Sequence, residues 1–390
     1  MVRSRVLWIL WLIATGICYV AAENAAFLLL AGVSLALPLL AVVPARQAGK
    51  KLSAELSMEA FREKGGEASG KIFIQNDGLF PADRLRCQVV CENLLTGERQ
   101  TASFRMAAPA RMRSEEDLRI SCRHCGRVRV SLRSVTLYDP FGLFRFRVAV
   151  KGETEALTLF APQTFSTEVQ IVYGENANMD SDEYSMRKPG YDPSETFAIR
   201  EYHPGDRIRQ IHWKLTEKFD SLMVRDYGLP IQNTVLLLLE TGTPGQEKPD
   251  ADCLDALAEA LLSVSQELVR QQIVHSIGWQ NHEENIFTCM EVETDEDLNL
   301  VLPGLLGAVP GADAVSVAEH YMEGREQMEF AHMVLFTGQH RPSLSYLTGQ
   351  CLFTEVICTP EGGGYVQEDG IAMVGASPEQ MAETLIYLEI

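Results

Sequence analysis

Positive charge is scarce in this 390-residue chain, which carries 34 lysines and arginines against 53 aspartates and glutamates. The net charge of −19 at pH 7 excludes a general nucleic-acid-binding protein, because such proteins present a basic patch to the phosphate backbone. The basic residues are concentrated in three stretches, at 3–51, 111–147 and 187–225, whereas the last third is strongly acidic. We therefore expect no nucleic acid among the partners.

The sequence also lacks the short motifs of several large enzyme classes. It contains no G-x-S-x-G nucleophile elbow, no H-E-x-x-H zinc-binding helix and no G-x-x-x-x-G-K-[ST] phosphate-binding loop. These absences argue against the common forms of serine hydrolase, zinc peptidase and P-loop nucleotide hydrolase. The sequence gives no reason to expect a bound cofactor.

Cysteine is too sparse for a disulfide-stapled fold, since nine residues, an odd number, are scattered through a long chain. Cys87-x3-Cys91 and Cys122-x2-Cys125 nevertheless have spacings found among zinc ligands. Cys87 and Cys91 also fall in a strand-like run, where they would be small apolar residues on one buried face. The sequence favours this apolar interpretation over a metal site and leaves both open.

Two long apolar runs lie near the start of the chain, at residues 6–22 and 25–43. Each is about as long as a helix must be to cross a hydrocarbon core of ~30 Å at ~1.5 Å per residue. The short connection between them indicates a tight hairpin, so residues 1–45 are predicted to form a two-helix transmembrane hairpin. A cleaved signal peptide is the alternative for the first run, but it would not explain the second.

Basic residues flank this hairpin at its two ends, and the connecting loop has none. They are Arg3 and Arg5 before the first run, and Arg46, Lys50 and Lys51 after the second. The positive-inside rule places both termini and all later domains in the cytoplasm. The sequence therefore predicts a protein of the plasma membrane that contacts lipid through its hairpin.

Short segments of alternating polarity fill residues 50–165. Val128, Val130 and Leu132 show the pattern, because every second residue is apolar as in a half-buried strand. Turn signals such as the one at 76–78 separate the segments, and no long helical pattern is present. The segment is predicted to be an antiparallel β-sandwich of the immunoglobulin-like type.

Strand and helix patterns alternate in residues 231–390. Residues 234–240 are continuously apolar, which is typical of a strand covered on both faces, and 252–272 carries the apolar stripe of an amphipathic helix. The alternation continues to a closing helix predicted at 378–388. This order predicts a doubly wound parallel sheet, so the fold class is α/β plus all-β.

Residues 166–230 join these domains and combine a turn with unusual charge. Pro204-Gly205-Asp206 is a strong turn signal, and the arginines and aspartates around it are spaced for mutual ion pairs. Apolar residues, of which Trp213 is the largest, are expected to anchor the segment in a core.

A catalytic interpretation of the same residues is the alternative. It takes His203, Asp206 and His212 as acid–base partners, and Arg200, Arg207, Arg209 and Lys214 as an anion clamp. The structural interpretation is favoured, because structural ion-pair networks look like active sites in a sequence.

Ten residues between 190 and 214 form a specific pattern. They are Gly190, Phe197, Arg200, Tyr202, Gly205, Asp206, Arg209, Ile211, Trp213 and Lys214. The pattern resembles the signature of the Domain of Unknown Function 58 family, and we call residues 188–214 the signature segment. The chain departs from that family at 216–218, where Thr-Glu-Lys replaces the usual small residue and arginine. The run Asp-Pro-Phe-Gly-Leu-Phe at 139–144 is similar to a second motif of the family.

The resemblance implies that residues 231–390 form a von Willebrand factor A-like domain. Such domains often hold a divalent cation through a D-x-S-x-S motif after the first strand, since carboxylate and hydroxyl oxygens suit Mg²⁺. Here Glu240, Gly242 and Pro244 stand at these positions and supply neither hydroxyl, while Thr337 lies in the nearest counterpart of a further threonine loop. We expect a degenerate site without metal.

The resemblance also implies partners, namely an AAA+ ATPase of the MoxR type and a transglutaminase-like membrane protein. The expected function is that of a membrane-anchored, non-enzymatic interaction or assembly protein whose partner surface is the signature segment. The alternative is a hydrolase or anion-binding enzyme that uses residues 200–214.

Overall fold

Two long N-terminal helices and a mixed α/β body with several sheets make up the protein. The computed structural model describes residues 2–22, 24–149, 151–171, 192–203, 206–219, 221–228, 235–242, 250–311, 315–325, 330–368 and 370–390. The two apolar runs form helices, as predicted: α1 (Val2–Ala22) and α2 (Ala25–Gly49). Each helix is long and apolar enough to cross a membrane. The indole N–H groups of Trp8 and Trp11 join the helices by donating to the backbone oxygen and the hydroxyl of Ser34.

Between residues 52 and 161, the described part of the chain forms nine strands in two sheets. They are β1 (Leu52–Met58), β2 (Phe61–Glu63), β3 (Glu67–Asn76), β4 (Ala82–Asn93), β5 (Arg99–Ala108), β6 (Met112–Ser121), β7 (Gly126–Tyr138), β8 (Arg145–Val148) and β9 (Glu155–Ala161). One sheet has the order β1-β3-β6, and the other has the order β2-β9-β7-β4-β5 with β8 paired to β7. Both sheets contribute to one apolar core, to which Ile72, Cys87 and Val130 belong. We call residues 52–161 the β body.

In the segment after the β body, the described residues form three strands and two short helical elements. They are β10 (Glu168–Gln170), β11 (Asp192–Glu201), a 3-10 turn (Ile208–Gln210), α3 (Trp213–Phe219) and β12 (Met223–Gly228). Strands β11 and β12 pair antiparallel with two register irregularities, and the 3-10 turn and α3 lie in the connection between them. We call residues 192–228 the signature hairpin.

The rest of the chain is built around a seven-stranded sheet. Its elements are β13 (Val235–Leu239), α4 (Ala251–Arg270), β14 (His275–Asn281), β15 (Ile286–Val292), α5 (Asp295–Leu305), α6 (Val317–Met322), β16 (His332–Thr337), a 3-10 helix (Pro342–Gly349), β17 (Leu352–Cys358), β18 (Tyr365–Glu368), β19 (Ile371–Ala376), α7 (Met381–Thr384) and β20 (Tyr387–Glu389). The strand order is β15-β14-β13-β16-β17-β19-β18, and only the two edge strands run antiparallel to their neighbours.

Strand β13 is buried along its whole length, as the apolar run predicted. Leu237 and Leu239 face a core shared with α4, while Leu236 and Leu238 face a second core shared with α6. A strand covered on both faces needs apolar residues at every position, which is why this sequence does not alternate.

The closing helix predicted at 378–388 is wrong. Helix α7 takes only four residues, and β20 follows it and pairs in parallel with β10. The amide of Ile390 donates to the carbonyl of Gln170, and the hydroxyl of Thr167 donates to the carbonyl of Leu385. Long-range pairing with residues about 220 positions earlier thus overrides the local helical pattern.

Charged side chains join α4 to the β body. The Nζ atom of Lys64 lies 2.5 Å from Oδ2 of Asp255 and 2.6 Å from Oε1 of Glu259. The other oxygen of Asp255 accepts a hydrogen bond of 2.6 Å from the amide of Cys125. One lysine therefore balances two carboxylates of the first turns of α4, and we call this group the junction.

His124 forms a second contact at the junction. Its Nδ1 lies 2.8 Å from Glu98 Oε2 and its Nε2 lies 2.9 Å from Asp252 Oδ1. Burial lowers the pKa of His124, but the hydrogen bonds with Asp252 and Glu98 outweigh it and raise the pKa above its ordinary value. Carboxylates only accept hydrogen bonds, so both contacts form together only when the imidazole is doubly protonated.

We expect the contribution of His124 to stability to disappear as the pH rises. A group whose pKa is higher in the folded state stabilises the fold fully below its ordinary pKa of ~6.5 and loses this effect as the pH passes through the folded-state pKa. His124→Gln should cost about 1 kcal/mol at low pH, because the two carboxylates are partly exposed, and progressively less at high pH. Unfolding midpoints of both proteins between about pH 5.5 and 8.5 test this. A difference that stays constant or grows with pH would contradict it.

Candidate functional site

The charged residues of the signature hairpin pair with one another. Both terminal nitrogens of Arg200 donate to Asp206, from Nη1 to Oδ2 at 2.8 Å and from Nη2 to Oδ1 at 2.9 Å. The Nε atom of the same arginine donates to Oδ2 of Asp226 at 3.0 Å. Arg200 and Asp226 lie on the paired strands β11 and β12, and Asp206 lies in the connection, so one guanidinium closes the loop onto its own hairpin. The predicted pairing is confirmed for Arg200 and Asp206.

This pairing removes Asp206 from acid–base work near neutral pH. The hydrogen bonds from the Arg200 side chain, and then from the His203 amide, hold the pKa of Asp206 well below its usual range. The hydrogen bonds to Asp206 and Asp226 likewise raise the pKa of Arg200. A carboxylate with so low a pKa is a weak base, and an arginine engaged by two carboxylates has little capacity for an external anion.

Trp213 stands in solvent rather than in a core. Its side chain is 64% exposed at the start of α3, so the prediction that it anchors the segment is wrong. Val224 of β12, in contrast, is fully buried. Ile199, Phe219 and Leu222 are also exposed, and the ammonium group of Lys218 lies 5.7 Å from the centre of the Phe219 ring.

The remaining signature residues have varied positions. Tyr202 is half-buried, and its amide donates to the carbonyl of Leu222, whereas Arg209 and Lys214 are exposed. Phe197 belongs to β11, but its side chain, like Gly190 and Gly205, lies outside the described residues. The signature thus contains a charge cluster in which Arg200 pairs with Asp206, and it also presents Trp213, Arg209 and Lys214 at the surface.

A second charge cluster lies where the parallel strands of the large sheet end. Glu240 follows β13 and is buried, and Oε2 of its carboxylate accepts from the hydroxyl of Thr337 and from Nε of Arg341. The Nη2 atom of Arg341 lies 2.9 Å from Oε1 of Glu240. Strands β14 and β16 lie on opposite sides of β13, so this is the place where the strand order reverses and where open α/β sheets commonly bind ligands.

Glu355 extends this cluster from the neighbouring strand β17. The side chain is fully buried, its Oε2 lies 2.6 Å from Nδ1 of His340, and its Oε1 accepts from the amide of Arg341. Burial raises the pKa of Glu355 and outweighs the opposing hydrogen bond with His340. We call Glu240, Thr337, His340, Arg341 and Glu355 the strand-end cluster.

The strand-end cluster occupies the position at which the sequence predicted a degenerate metal site. The guanidinium of Arg341 forms an ion pair with the Glu240 carboxylate. The negative charge of Glu240 is therefore balanced by a side chain of the protein itself. A Cβ atom at Gly242 would lie 2.6 Å from the carbonyl oxygen of Gly311, and this close approach explains a glycine at that position. Pro244 lies outside the described residues.

Sequence reasoning missed Arg341, His340 and Glu355. Glu355 carried the usable signal, because it is a lone carboxylate in the otherwise uncharged strand 352–358, where a buried charge requires a partner. The partner of Glu355 is His340, and Arg341 next to it pairs with Glu240. Arg341 and Glu240 are 101 positions apart, so no local pattern connects them.

The four cysteines with ligand-like spacing are buried thiols. Cys87 and Cys91 lie on one face of β4 and, with Cys122, belong to the core of the β body. Burial raises the pKa of Cys87 to about 12 and that of Cys91 to about 11, so both stay protonated. Among the described residues, no group of three or more histidine, cysteine, aspartate or glutamate side chains is arranged to hold a metal ion.

A comparison with protein-family models finds no match, and a comparison with curated proteins finds none either. Solved structures resemble parts of the chain. The CARDB domain of the PF1109 protein from Pyrococcus furiosus is 13% identical over 28% of this chain and 83% of that chain, with a TM-score of 0.19. The alkylpurine DNA glycosylase AlkC from Pseudomonas fluorescens is 13% identical over 36% of this chain and 39% of that chain, with a TM-score of 0.21. The sporulation control protein Spo0M from Bacillus subtilis is 12% identical over 26% of this chain and 50% of that chain, with a TM-score of 0.17. Likenesses at this level carry no argument about function.

Proposed function

We propose that this protein is a membrane-anchored interaction or assembly protein without catalytic activity, of the Domain of Unknown Function 58 type. The observation that carries the proposal is the division of the signature hairpin. Arg200, Asp206 and Asp226 pair with one another inside the hairpin, whereas Trp213 is exposed. Exposed tryptophans with neighbouring basic residues are typical centres of protein–protein contact.

The architecture fits this role. The two sheets of the β body share one core, which supports an immunoglobulin-like β-sandwich. The seven-stranded sheet is parallel apart from its edges and is packed on both faces, which supports a von Willebrand factor A-like domain. The Glu240–Arg341 pair takes the place of a metal ligand set, so the domain is proposed to act as a scaffold.

The transmembrane hairpin of α1 and α2 is proposed to place all soluble parts in the cytoplasm. Arg5 precedes the apolar part of α1, and Arg46, Lys50 and Lys51 end or follow α2, so the basic flanks lie at the same side of the hairpin. Cytoplasmic loops carry an excess of such residues. The proposed location is the plasma membrane, with lipid contact through α1 and α2.

The proposed partners are an AAA+ ATPase of the MoxR type, which binds the signature hairpin, and a transglutaminase-like membrane protein. The exposed side chains of the hairpin combine Trp213 and Phe219 with Arg209, Lys214 and Lys218. We expect such a surface to bind an acidic, partly apolar patch, because aromatic residues supply the buried area and the basic ones steer the encounter.

Trp213→Ala is expected to abolish tight binding of the ATPase without unfolding the chain. An exposed residue away from any core changes stability by no more than about 0.5 kcal/mol, whereas truncation of an aromatic hot spot costs about 2 kcal/mol or more, or roughly 30-fold in affinity. The full chain in detergent and the MoxR-type ATPase of the same organism, mixed at known concentrations, give the affinity directly.

Tyr365→Ala is the matched control for this experiment. Tyr365 is 70% exposed on the edge strand β18 and belongs to no part of the signature hairpin. Equal binding by wild type and the Trp213 variant would contradict the proposed surface. If Arg200→Lys abolished a measurable hydrolytic activity while the melting temperature stayed unchanged, the hydrolase alternative would replace the proposal.

A further inference from the structure

Four arginines line a groove on the outer face of the larger sheet of the β body. The groove has a volume of about 920 Å³. Its arginines are Arg86 of β4, Arg133 of β7, and Arg145 and Arg147 of β8, and we call it the arginine groove. The other lining side chains are polar and uncharged, and they include Thr136 and Tyr138. No carboxylate lines the groove in the described part of the chain.

Strand register places two arginines of the groove, Arg86 and Arg147, in one row with Arg105, which lies outside the groove. Thr136 of β7 lies opposite Arg86 on one side and opposite Arg147 on the other, and Arg86 in turn lies opposite Arg105 of β5. One row across four strands thus carries three arginines. Like charges on adjacent strands destabilise a sheet unless a counter-charge is present.

The described residues supply no such counter-charge. Ion pairs elsewhere engage arginines with carboxylates, for example Arg99 with Glu92 and Arg113 with Glu55. Within the described ranges, none of the four arginines of the groove is in an ion pair, and Arg86 donates only to the hydroxyl of Ser103. In a chain of net charge −19 this concentration of unneutralised guanidinium groups indicates an anionic ligand.

The arginine groove adjoins the place where both long helices meet the β body. The Nε atom of Arg5 in α1 donates to the carbonyl of Leu143, in the turn that joins β7 to β8. The guanidinium of Arg46 in α2 lies 5.7 Å from the centre of the Phe146 ring of β8, and Phe146 packs against the core, on the face of the sheet opposite to the groove. The strands that line the groove therefore run directly up to the helix ends.

Exposed apolar side chains surround these helix ends. Leu79 and Phe80 lie in the loop next to the end of α2, where the amide of Asp77 donates to the carbonyl of Lys51. Phe141 is exposed in the turn that holds Arg5. Such residues are costly in water and suited to the boundary between headgroups and acyl chains, so this end of the β body is shaped to rest on a bilayer.

We propose that the arginine groove binds the headgroup phosphate of an anionic phospholipid in the leaflet at which α1 begins and α2 ends. Guanidinium groups bind phosphate oxygens in a bidentate manner, and the hydroxyls of Thr136 and Tyr138 provide further donors. The apolar loops beside the groove favour a lipid over a soluble phosphate, because they would accompany its acyl chains. This inference rests on the membrane anchoring proposed above, and it adds a headgroup site that fixes the β body against the membrane surface.

Lipid titration of the delipidated full chain in an uncharged detergent tests the inference, with native mass spectrometry to count bound lipid. Phosphatidylglycerol should bind, and phosphatidylcholine and inorganic phosphate should bind at least tenfold more weakly. Arg145→Gln/Arg147→Gln should weaken phosphatidylglycerol binding about 30-fold, since each basic residue near an anionic surface contributes about 1 kcal/mol. The control Arg113→Gln/Arg119→Gln removes two exposed charges from β6 of the other sheet and should leave binding unchanged.

Three results would overturn the inference. They are equal binding by the Arg145/Arg147 variant, equal binding of both lipids, and inorganic phosphate binding as tight as that of the lipid, which would identify a soluble anion instead. Alkaline extraction of membranes separates this failure from that of the anchoring. A chain that stays in extracted membranes but shows no lipid preference refutes the groove alone, whereas a chain released by extraction refutes the anchoring and the groove together.

Discussion

Arg341→Ala is expected to lower the free energy of unfolding by about 3–5 kcal/mol, because it leaves the carboxylate of Glu240 buried without its cation. Glu240 is 4% exposed, and its hydrogen bond from Thr337 would remain as partial compensation. The loss is a large share of the ~5–15 kcal/mol that holds a domain together. Denaturant unfolding of the full chain in detergent measures it, with the buried Trp279 of β14 as a fluorescence reporter in the same sheet.

The double variant Glu240→Met/Arg341→Met is the matched control. Replacement of a buried ion pair by apolar residues of similar size is often neutral, so this variant should recover most of the lost stability. Mg²⁺ should leave the wild-type midpoint unchanged, because the guanidinium already engages the carboxylate. A stable Arg341→Ala protein, or micromolar Mg²⁺ binding that Glu240→Ala abolishes, would contradict the closed strand-end cluster.

Lys64→Ala is expected to have the next largest effect, a loss of about 3 kcal/mol. Asp255 and Glu259 both pair with this lysine, and among the described residues neither forms an ion pair with another cation. The variant therefore leaves two neighbouring carboxylates at the junction without a counter-charge. Burial already raises the pKa of Glu259 despite the hydrogen bond from Lys64, so part of the loss should be relieved by protonation at low pH. The junction should open locally before the whole chain unfolds, so amide hydrogen exchange at the start of α4 should be faster than in the wild type.

Lys71→Ala is the matched control, because it removes another lysine of the β body, seven positions further along the chain. Lys71 pairs with Glu115 at 3.2 Å on β3 and β6, but both side chains are about half exposed. Surface pairs of this kind contribute less than about 1 kcal/mol. Equal destabilisation by the two variants would show that Lys64 acts as a surface residue and not as the cation of the junction.

Local pattern was sufficient for most individual elements. The alternation of Val128, Val130 and Leu132 predicted a strand buried on one face, and the continuous apolar run of β13 predicted a strand buried on both. The apolar stripe of 252–272 likewise predicted helix α4. The ion pair between Arg200 and Asp206 was also predictable, since the two residues are six positions apart in the chain. These features depend on neighbours in the chain, and their physical cause is therefore visible in the sequence.

The sequence by itself determined the two apolar helices, the strand-rich and alternating regions, and the local charge pairing of the signature. Tertiary structure alone decided that Trp213 is exposed, that Arg341 reaches Glu240, that residues 387–389 pair with β10, and that β4, β7 and β8 bring four arginines into one groove. Burial of a given side chain and the partner of a buried charge depend on which distant segments pack together. The local pattern of apolar and polar residues shows that a segment is buried on one face or on both. It does not show which distant segment packs against that face, because many segments would bury it equally well.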